Sequence, residues 1–191
     1  LGRTRDGKAI LLLDARADCP ALREIGRLRE ITFRRVGEGT GSRRDLDRHD
    51  LHYRHLVLWD EPALAIAGAY RIGEVAPILR DRGMDGLYSA SLFDFEPAAD
   101  AFLARAVELG RSFVQPAYWG TRSLDYLWQG IGAYLRSRPD IAYLFGPVSL
   151  SATLPLPARE WIVQFHARFH GDREGLARAR NPFTVSPEVE Q

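Results

Sequence analysis

The chain has 191 residues and a net charge of +1, with 46% hydrophobic and 27% charged residues. These values are typical of one globular domain, and the near-neutral charge argues against a nucleic-acid partner. The single cysteine excludes an internal disulfide and a multi-cysteine metal site, and it favours a reducing compartment. No apolar run reaches the roughly 18 residues of a membrane span. We therefore expect a cytoplasmic protein, with peripheral contact at the inner membrane face left open. The chain starts at Leu1 without a methionine, which is typical of a trimmed chain or of a piece of a longer protein.

Apolar periodicity predicts alternating strands and helices in the first half of the chain. The predicted elements are, in order, a strand (9–15), a helix capped by Asp18 (20–36), a glycine-rich loop (37–44) and two strands (53–59 and 64–72). The two strands flank a turn at Pro62 and predict an antiparallel hairpin. The loop is interpreted as a surface connection, with closure over a substrate as the alternative.

The second half continues the same mixture. The predicted elements are a connection with little pattern (73–86), a strand (87–95), a short helix (98–107), a strand (108–114), a helix (123–136), a strand interrupted by Gly146-Pro147 (141–150) and a last helix (155–170). Gly130 and Gly132 are poor helix formers, so we expect their helix to pack closely on the sheet. We predict a single domain over residues 1–191, with 1–8 and 171–191 peripheral. Its fold class is α/β, with a mostly antiparallel sheet flanked by helices.

Residues 108–120, ELGRSFVQPAYWG, are the most informative stretch. Glu108 and Arg111 interrupt an apolar strand, where charges are costly unless they are paired or used. The strand breaks at Pro116 and leads through a loop into a helix, and free backbone N–H groups at such a place suit anionic or carbonyl oxygens. We interpret this stretch as the donor-binding wall of an acyltransferase. The predicted donor-binding residues are Ser112, Phe113, Val114, Tyr118, Trp119, Gly120 and Thr121.

Four further pieces lead to a family resemblance. They are RLREITFRR (27–35), DLDRHDLHYRHLVLWD (45–60), AGAYRI (67–72), and the pair LWQGIGAYL (127–135) and YLFGPVSL (143–150). Together with residues 108–120, they resemble the GNAT superfamily of acyltransferases over about residues 9–170. The chain is most similar to the branch of ornithine-lipid-type N-acyltransferases, some of which carry the label hemolysin. It is also similar to the related acyl-homoserine-lactone synthases, but it lacks their tryptophan after the first-helix Phe, which argues against lactone formation.

The resemblance implies a GNAT-like fold and a fatty acyl donor carried on the phosphopantetheine thioester of acyl carrier protein. It implies an amine acceptor, such as that of an amino acid, in lipid or N-acyl amino acid biosynthesis, with no bound cofactor and no metal. The usual GNAT pyrophosphate loop is replaced by AYWGTRSLDYLWQG (117–130), which disfavours acetyl-CoA. Two alternatives stay open: an acetyl-CoA-dependent small-molecule N-acetyltransferase, and a non-catalytic hemolysin-like module.

Glu108 and Arg111 are the predicted catalytic residues. Aminolysis of a thioester needs a group that takes the proton of the amine, and a carboxylate removed from water is a candidate. The alternative for Glu108 is an ion pair with Arg111 or Arg71. Three positions apart on a strand, Glu108 and Arg111 point to opposite faces unless the strand bulges, and Gly110 is the expected bulge site. We expect Arg111 to hold the hairpin through a carboxylate, with Asp47, Asp50 and Asp94 as candidates.

The predicted acceptor-binding residues are Arg29, Phe33, Asp47, Asp50 and Arg71. The two carboxylates suit a cationic acceptor, with a turn or helix cap as the alternative. The two arginines suit an acceptor carboxylate or contacts with one another's neighbours, and a solvated strand end is the alternative for Arg71.

A basic patch is predicted as the docking site for acidic acyl carrier protein. Its members are Arg122, Arg136 and Arg138.

Overall fold

A computed structural model describes residues 1–14, 19–151 and 153–186. Six strands form one sheet in the order β1-β2-β3-β4-β6-β7, and β5 pairs with β8 in a separate ribbon. The strands are β1 (Gly2–Arg3), β2 (Ala9–Asp14), β3 (Arg54–Asp60), β4 (Ala65–Glu74), β5 (Phe93–Phe95), β6 (Ala106–Val114), β7 (Tyr143–Phe145) and β8 (Ala177–Ala179). All neighbouring pairs are antiparallel except β6 and β7, which are parallel. The predicted fold class is confirmed.

Five α-helices accompany the sheet within residues 1–14, 19–151 and 153–186. They are α1 (Pro20–Arg35), α2 (Val75–Arg82), α3 (Asp100–Leu103), α4 (Ser123–Arg136) and α5 (Leu156–His170). No helix within the described ranges is long and apolar enough to cross a membrane.

Helices α1 and α4 cover opposite faces of the sheet. Because side chains alternate along β3, neighbouring residues of this strand pack against different helices. Val57 packs with Ile25 of α1, whereas Leu56 packs with Leu127 of α4. A Cβ at Gly130 would lie 2.7 Å from Cγ2 of Ile10, so the absence of a side chain there lets α4 approach the sheet. Close packing is therefore confirmed for Gly130.

Gly132, the second glycine expected to pack on the sheet, does not contact it. Gly132 is exposed, and an added Cβ would meet no atom within 4 Å, so the expectation for Gly132 was wrong. The strongly periodic elements were otherwise close to their predicted bounds, and α4 begins and ends at the predicted residues. The predicted cap at Asp18 lies outside the described residues.

Four weakly patterned segments differ from prediction. The strand predicted over 141–150 reduces to β7, and residues 146–150 form no strand. The connection 73–86 contains α2. This helix tolerates Pro77 because the proline lies in its first turn, where a backbone N–H has no partner within the helix. The strand predicted over 87–95 reduces to β5, and its earlier part contains the 3₁₀ turn Ser89–Ser91. The helix predicted over 98–107 ends early, and β6 starts at Ala106. These segments depend on distant partners, such as the pairing of β5 with β8 in the expected peripheral tail.

Candidate active site

The sheet opens a cleft where β6 and β7 part. Their parallel ladder has three residue pairs and ends at Glu108 and Phe145. A Cβ on Gly146 would overlap the carbonyl oxygen of Leu109, so the strands are still close at this point. The chain from Pro147 to Leu150 then forms one wall of a cleft of about 590 Å³, and β6 forms another. The lining residues are Phe33, Gly37, Glu38, Tyr88, Leu92, Gly110, Arg111, Ser112, Pro147, Val148, Ser149 and Leu150.

A β-bulge shapes the β6 wall of this cleft. Ala69 pairs with Phe113 and Arg71 pairs with Gly110, so two β6 residues oppose the single residue Tyr70. Arg111 itself adopts a φ of +48°, an uncommon conformation for a residue with a side chain. The predicted bulge is present, and the strained residue is Arg111 rather than the neighbouring glycine. The bulge brings Arg111 to the cleft and to carboxylates from the 45–50 segment.

Beneath Arg111 lies a cluster of buried charges. Arg29 is 0% exposed and donates to Oδ1 of Asp50 at 2.7 Å. Arg71 is 1% exposed and donates to Oδ1 of Asp47 at 2.7 Å, while its guanidinium lies 5.1 Å from the ring centre of Tyr53. These pairings offset the cost of burying the charges. Burial opposes ionisation of Asp47, but Arg71 outweighs it and lowers the pKa of Asp47 to about 2.

The two predicted acceptor carboxylates also shape the chain before β3. Asp47 accepts from the backbone N–H of His49 at 2.8 Å, and Asp50 accepts from that of Asp47 at 2.7 Å. This reciprocal pair is the capping box of the 3₁₀ turn Arg48–Leu51. The geometry therefore matches the turn-and-cap alternative left open by the sequence.

His55 completes the cluster as a neutral ring. Arg29 can only donate, so its 3.2 Å contact makes Nδ1 of His55 an acceptor. Nε2 then carries the proton and donates to the carbonyl oxygen of Asp50 at 3.0 Å. Burial is the main cause that lowers the pKa of His55 to about 4.

Glu108 is 1% exposed, and its carboxylate is surrounded by hydrogen-bond donors of the protein. Oε1 accepts from the N–H and the Oγ of Ser89 at 2.7 and 2.6 Å. Oε2 accepts from the hydroxyl of Tyr53 and from the N–H of Tyr88 at 3.2 Å. Burial and the Glu108 carboxylate raise the pKa of Tyr53, which keeps its proton and stays a donor. Neither arginine named in the ion-pair alternative contacts Glu108, and the base role stays a prediction.

The glycine-rich loop after α1 is tied down at one end of the cleft. The helix ends in a Schellman motif: Gly37, with φ of +80°, donates to the Arg34 carbonyl, and Glu38 donates to the Phe33 carbonyl at 2.8 Å. Glu30 then accepts from the N–H and the Oγ1 of Thr40 at 3.0 and 2.7 Å. The hydroxyl of Thr40, together with Arg34 and backbone N–H groups, lowers the pKa of Glu30 to about 2.

The predicted donor turn lies between β6 and α4. Trp119 donates from Nε1 to the Val114 carbonyl at 2.6 Å, and Gly120 has a φ of +74°. The hydroxyl of Thr121 donates to the Tyr118 carbonyl at 2.6 Å and lies 2.8 Å from Oγ of Ser123, the first residue of α4.

A larger apolar pocket adjoins the cleft. It has a volume of about 860 Å³ and shares Pro147, Val148 and Leu150 with the cleft wall. Aromatic rings from β5, α3 and β7 line one side, and α5 lines another. The polar cleft and the apolar pocket thus adjoin each other at residues 147–150.

The structure distributes the predicted site residues over several places, with Glu108 among its donors from Tyr53, Tyr88 and Ser89. Arg111, Ser112 and Phe33 line the cleft. Phe113 and Val114 pack in the cores below α1 and α4, and the turn residues 118–121 do not line the cleft. The acceptor residues on α1, the 45–50 segment and β4 lie in the buried cluster. Whether any of these residues binds substrate stays a prediction.

Several residues at the site were missed by the sequence analysis. They are Glu38, Asp45, Tyr53, Tyr88, Ser89 and Ser149. Glu38 had a local signal, since it lies between two glycines in the loop 37–44. The others had none, because only the folded chain brings Ser89 to Glu108 or the ring of Tyr88 to within 5.2 Å of the Arg111 guanidinium.

Comparison with known proteins gives the family to which this fold and site belong. Residues 28–129 match the profile described as an acetyltransferase (GNAT) domain. The chain belongs to this family, and the predicted resemblance is confirmed.

Individual relatives narrow the branch. The chain is 35% identical over 180 residues to the glycine N(alpha)-acyltransferase of Phocaeicola vulgatus, covering 87% of this chain and 55% of that protein. It is 35% identical over 182 residues to the protein of the same name from Bacteroides thetaiotaomicron, covering 89% and 54%. It is 33% identical over 139 residues to the L-ornithine N(alpha)-acyltransferase of Brucella abortus, covering 66% and 49%. The chain spans about half the length of these curated relatives.

Proposed function

We propose that this domain transfers a long acyl chain from the phosphopantetheine thioester of acyl carrier protein to the amine of an amino acid. The names of the relatives support an amino-acid acceptor and N-acylation. The observation that carries the donor class is the apolar pocket of about 860 Å³ that continues from the polar cleft. A volume of this size is typical of a site for an extended ligand.

The pocket favours a long chain over an acetyl group for a physical reason. Each methylene group that leaves water contributes about 0.8 kcal/mol. An acetyl group would leave most of the lining between Phe95, Phe102 and Val163 without a partner. The thioester would lie where the cleft and the pocket meet, at Pro147 and Val148.

The docking surface for the carrier protein is narrower than the predicted patch. The guanidinium of Arg138 contacts Glu74 and lies 2.8 Å from Asp140, so it is engaged within the domain. Arg136 is exposed, and Arg122 is exposed with a contact of 3.5 Å to Asp125. We therefore propose Arg122 and Arg136, at the two ends of α4, as the carrier-protein contacts.

The test compares donors in a thiol-release assay with glycine or ornithine as acceptor. Acyl carrier protein loaded with a long chain should react much faster than acetyl-CoA, and equal turnover with acetyl-CoA would contradict the proposal. Val163→Phe, which narrows the pocket, should lower kcat/KM for the longest chain about tenfold and shift preference to shorter chains. Gln164→Phe is the matched control, because Gln164 follows Val163 on the same helix but does not line the pocket.

A further inference from the structure

The cleft carries one cation and one carboxylate among its described lining residues. Arg111 lies on β6, and Glu38 lies in the loop after α1. An α-amino acid carries the same two charges with opposite placement: an α-carboxylate and an ammonium group. The cleft is therefore complementary in charge to a zwitterion.

Arg111 differs from the two arginines below it in its capacity to take a new anion. Arg29 and Arg71 are at most 1% exposed, whereas the side chain of Arg111 is 26% exposed and lines the cleft. Its nearest carboxylate oxygens, on Asp45 and Asp47, are 3.6 and 3.7 Å away, too far for good hydrogen bonds. Its Nε has no hydrogen-bond partner among the described residues. Arg111 is thus only loosely paired with Asp45 and Asp47, and the exposed part of its guanidinium can bind a carboxylate in the cleft.

The charge balance below Arg111 supports the same role. Three arginines face three aspartates in this cluster. Burial, opposed by Arg111 and Arg29, raises the pKa of Asp45, which favours its neutral form. Burial therefore weakens Asp45 as a counter-ion for Arg111, whose Nε lies 3.6 Å from the Asp45 carboxylate.

Glu38 is held in place by its own backbone. The Schellman motif orders Gly37 and Glu38, and the contacts of Glu30 with Thr40 order the next turn of the loop. An added Cβ on Gly37 would lie 3.9 Å from Cγ2 of Thr153, so this loop approaches the chain at Thr153. The Glu38 carboxylate is exposed in the cleft, where it can meet a cationic group.

We propose that Arg111 binds the α-carboxylate of the acceptor and that Glu38 binds its ammonium group and takes one proton from it. The neutral amine then attacks the thioester carbon, and the N–C bond forms as the C–S bond breaks. The second amine proton goes to the leaving sulfur, which departs as a thiol. Glu38 afterwards returns its proton to water. This inference rests on the proposed function and assigns residues to its acceptor half.

The test uses glycine and glycinamide, which share the amine but differ in the carboxylate. The unmodified domain should show a KM at least tenfold lower for glycine than for glycinamide. Arg111→Ala should raise the KM for glycine about tenfold to 100-fold and change that for glycinamide less than threefold. Glu38→Gln should lower kcat/KM for both amines alike. Glu24→Gln, an exposed acid of α1 outside the cleft, is the matched control.

The outcomes separate the two proposals. Similar KM values for glycine and glycinamide in the unmodified domain would overturn the proposed binding of the α-carboxylate by Arg111. Equal increases of KM for both amines in Arg111→Ala would do the same. Either result would leave the proposal of acyl transfer intact. A long-chain carrier thioester that is consumed with no amine at all would instead overturn the proposed function. Calorimetric titration of glycine gives a readout without turnover: binding should weaken in Arg111→Ala and in Arg111→Gln. Unchanged binding in both variants would overturn the role of Arg111 by itself.

Discussion

Glu108 offers the sharpest test of how the site is built. Its carboxylate accepts four hydrogen bonds, from Tyr53, Tyr88 and twice from Ser89. These bonds attach the 86–91 segment to β6 and set the ring of Tyr88 next to Arg111. We therefore expect Glu108 to act as a positioning residue, although the sequence favoured a base.

Glu108→Gln keeps the shape of the side chain but replaces one acceptor oxygen by an NH₂ donor. In either orientation the new donor faces two of the four existing donors. Each buried donor left without an acceptor costs about 1–3 kcal/mol. Since the Ser89 hydroxyl can rotate, we expect a loss of about 3 kcal/mol in the free energy of unfolding, equivalent to about 6–12 °C in Tm.

The assay combines urea unfolding, followed by circular dichroism, with kcat measured well below the Tm of the variant. The folded variant should keep kcat within about tenfold of the unmodified domain. Ser89→Ala is the matched control: it removes one donor, leaves the carboxylate intact, and should cost about 1 kcal/mol. Unchanged stability together with a loss of about 100-fold or more in kcat would refute this reasoning and establish Glu108 as the base.

Three further predictions concern stability. Arg29→Ala removes the closest cation of the buried Asp50, leaves it with Arg71 at 3.4 Å, and should cost about 3 kcal/mol in denaturant unfolding. The free energy of unfolding should fall by about 3 kcal/mol between pH 6.5 and 4, because the unfolded His55 binds a proton there and the folded ring, with its pKa lowered to about 4, does not. His55→Gln should remove that part of the pH dependence. Gly146→Ala places a Cβ against the Leu109 carbonyl and should cost about 2 kcal/mol or more, measured as a lowered Tm.

Matched controls make these predictions specific. Arg27→Ala removes an exposed pair with Glu24 and should cost less than about 1 kcal/mol. Gly132→Ala adds a methyl group into open space and should not lower the Tm. Equal effects of Arg27→Ala and Arg29→Ala, or of alanine at both glycines, would contradict the burial and packing described above.

Local periodicity determined the regular elements. The apolar spacing in residues 123–136 was sufficient to place α4, because a helix of that length satisfies its own backbone and needs only a sheet to cover. The apolar residues of 53–59 likewise predicted β3. The charged residues Glu108 and Arg111 in an apolar strand marked the place where chemistry or a special contact had to occur.

Tertiary structure decided which of those residues meet and which reach solvent. The sequence predicted that Arg29 binds an acceptor carboxylate or contacts the neighbours of Arg71. In the structure, α1 turns Arg29 into the sheet, where Asp50 and His55 pair with it. The bulge at Arg111, the four donors around Glu108 and the parting of β6 from β7 all depend on contacts between segments far apart in the chain. Such contacts leave no local pattern, since each partner's position is set by the packing of the whole sheet. The residue types of the site could thus be predicted from the sequence, whereas their exposure, and with it their roles, came from the fold.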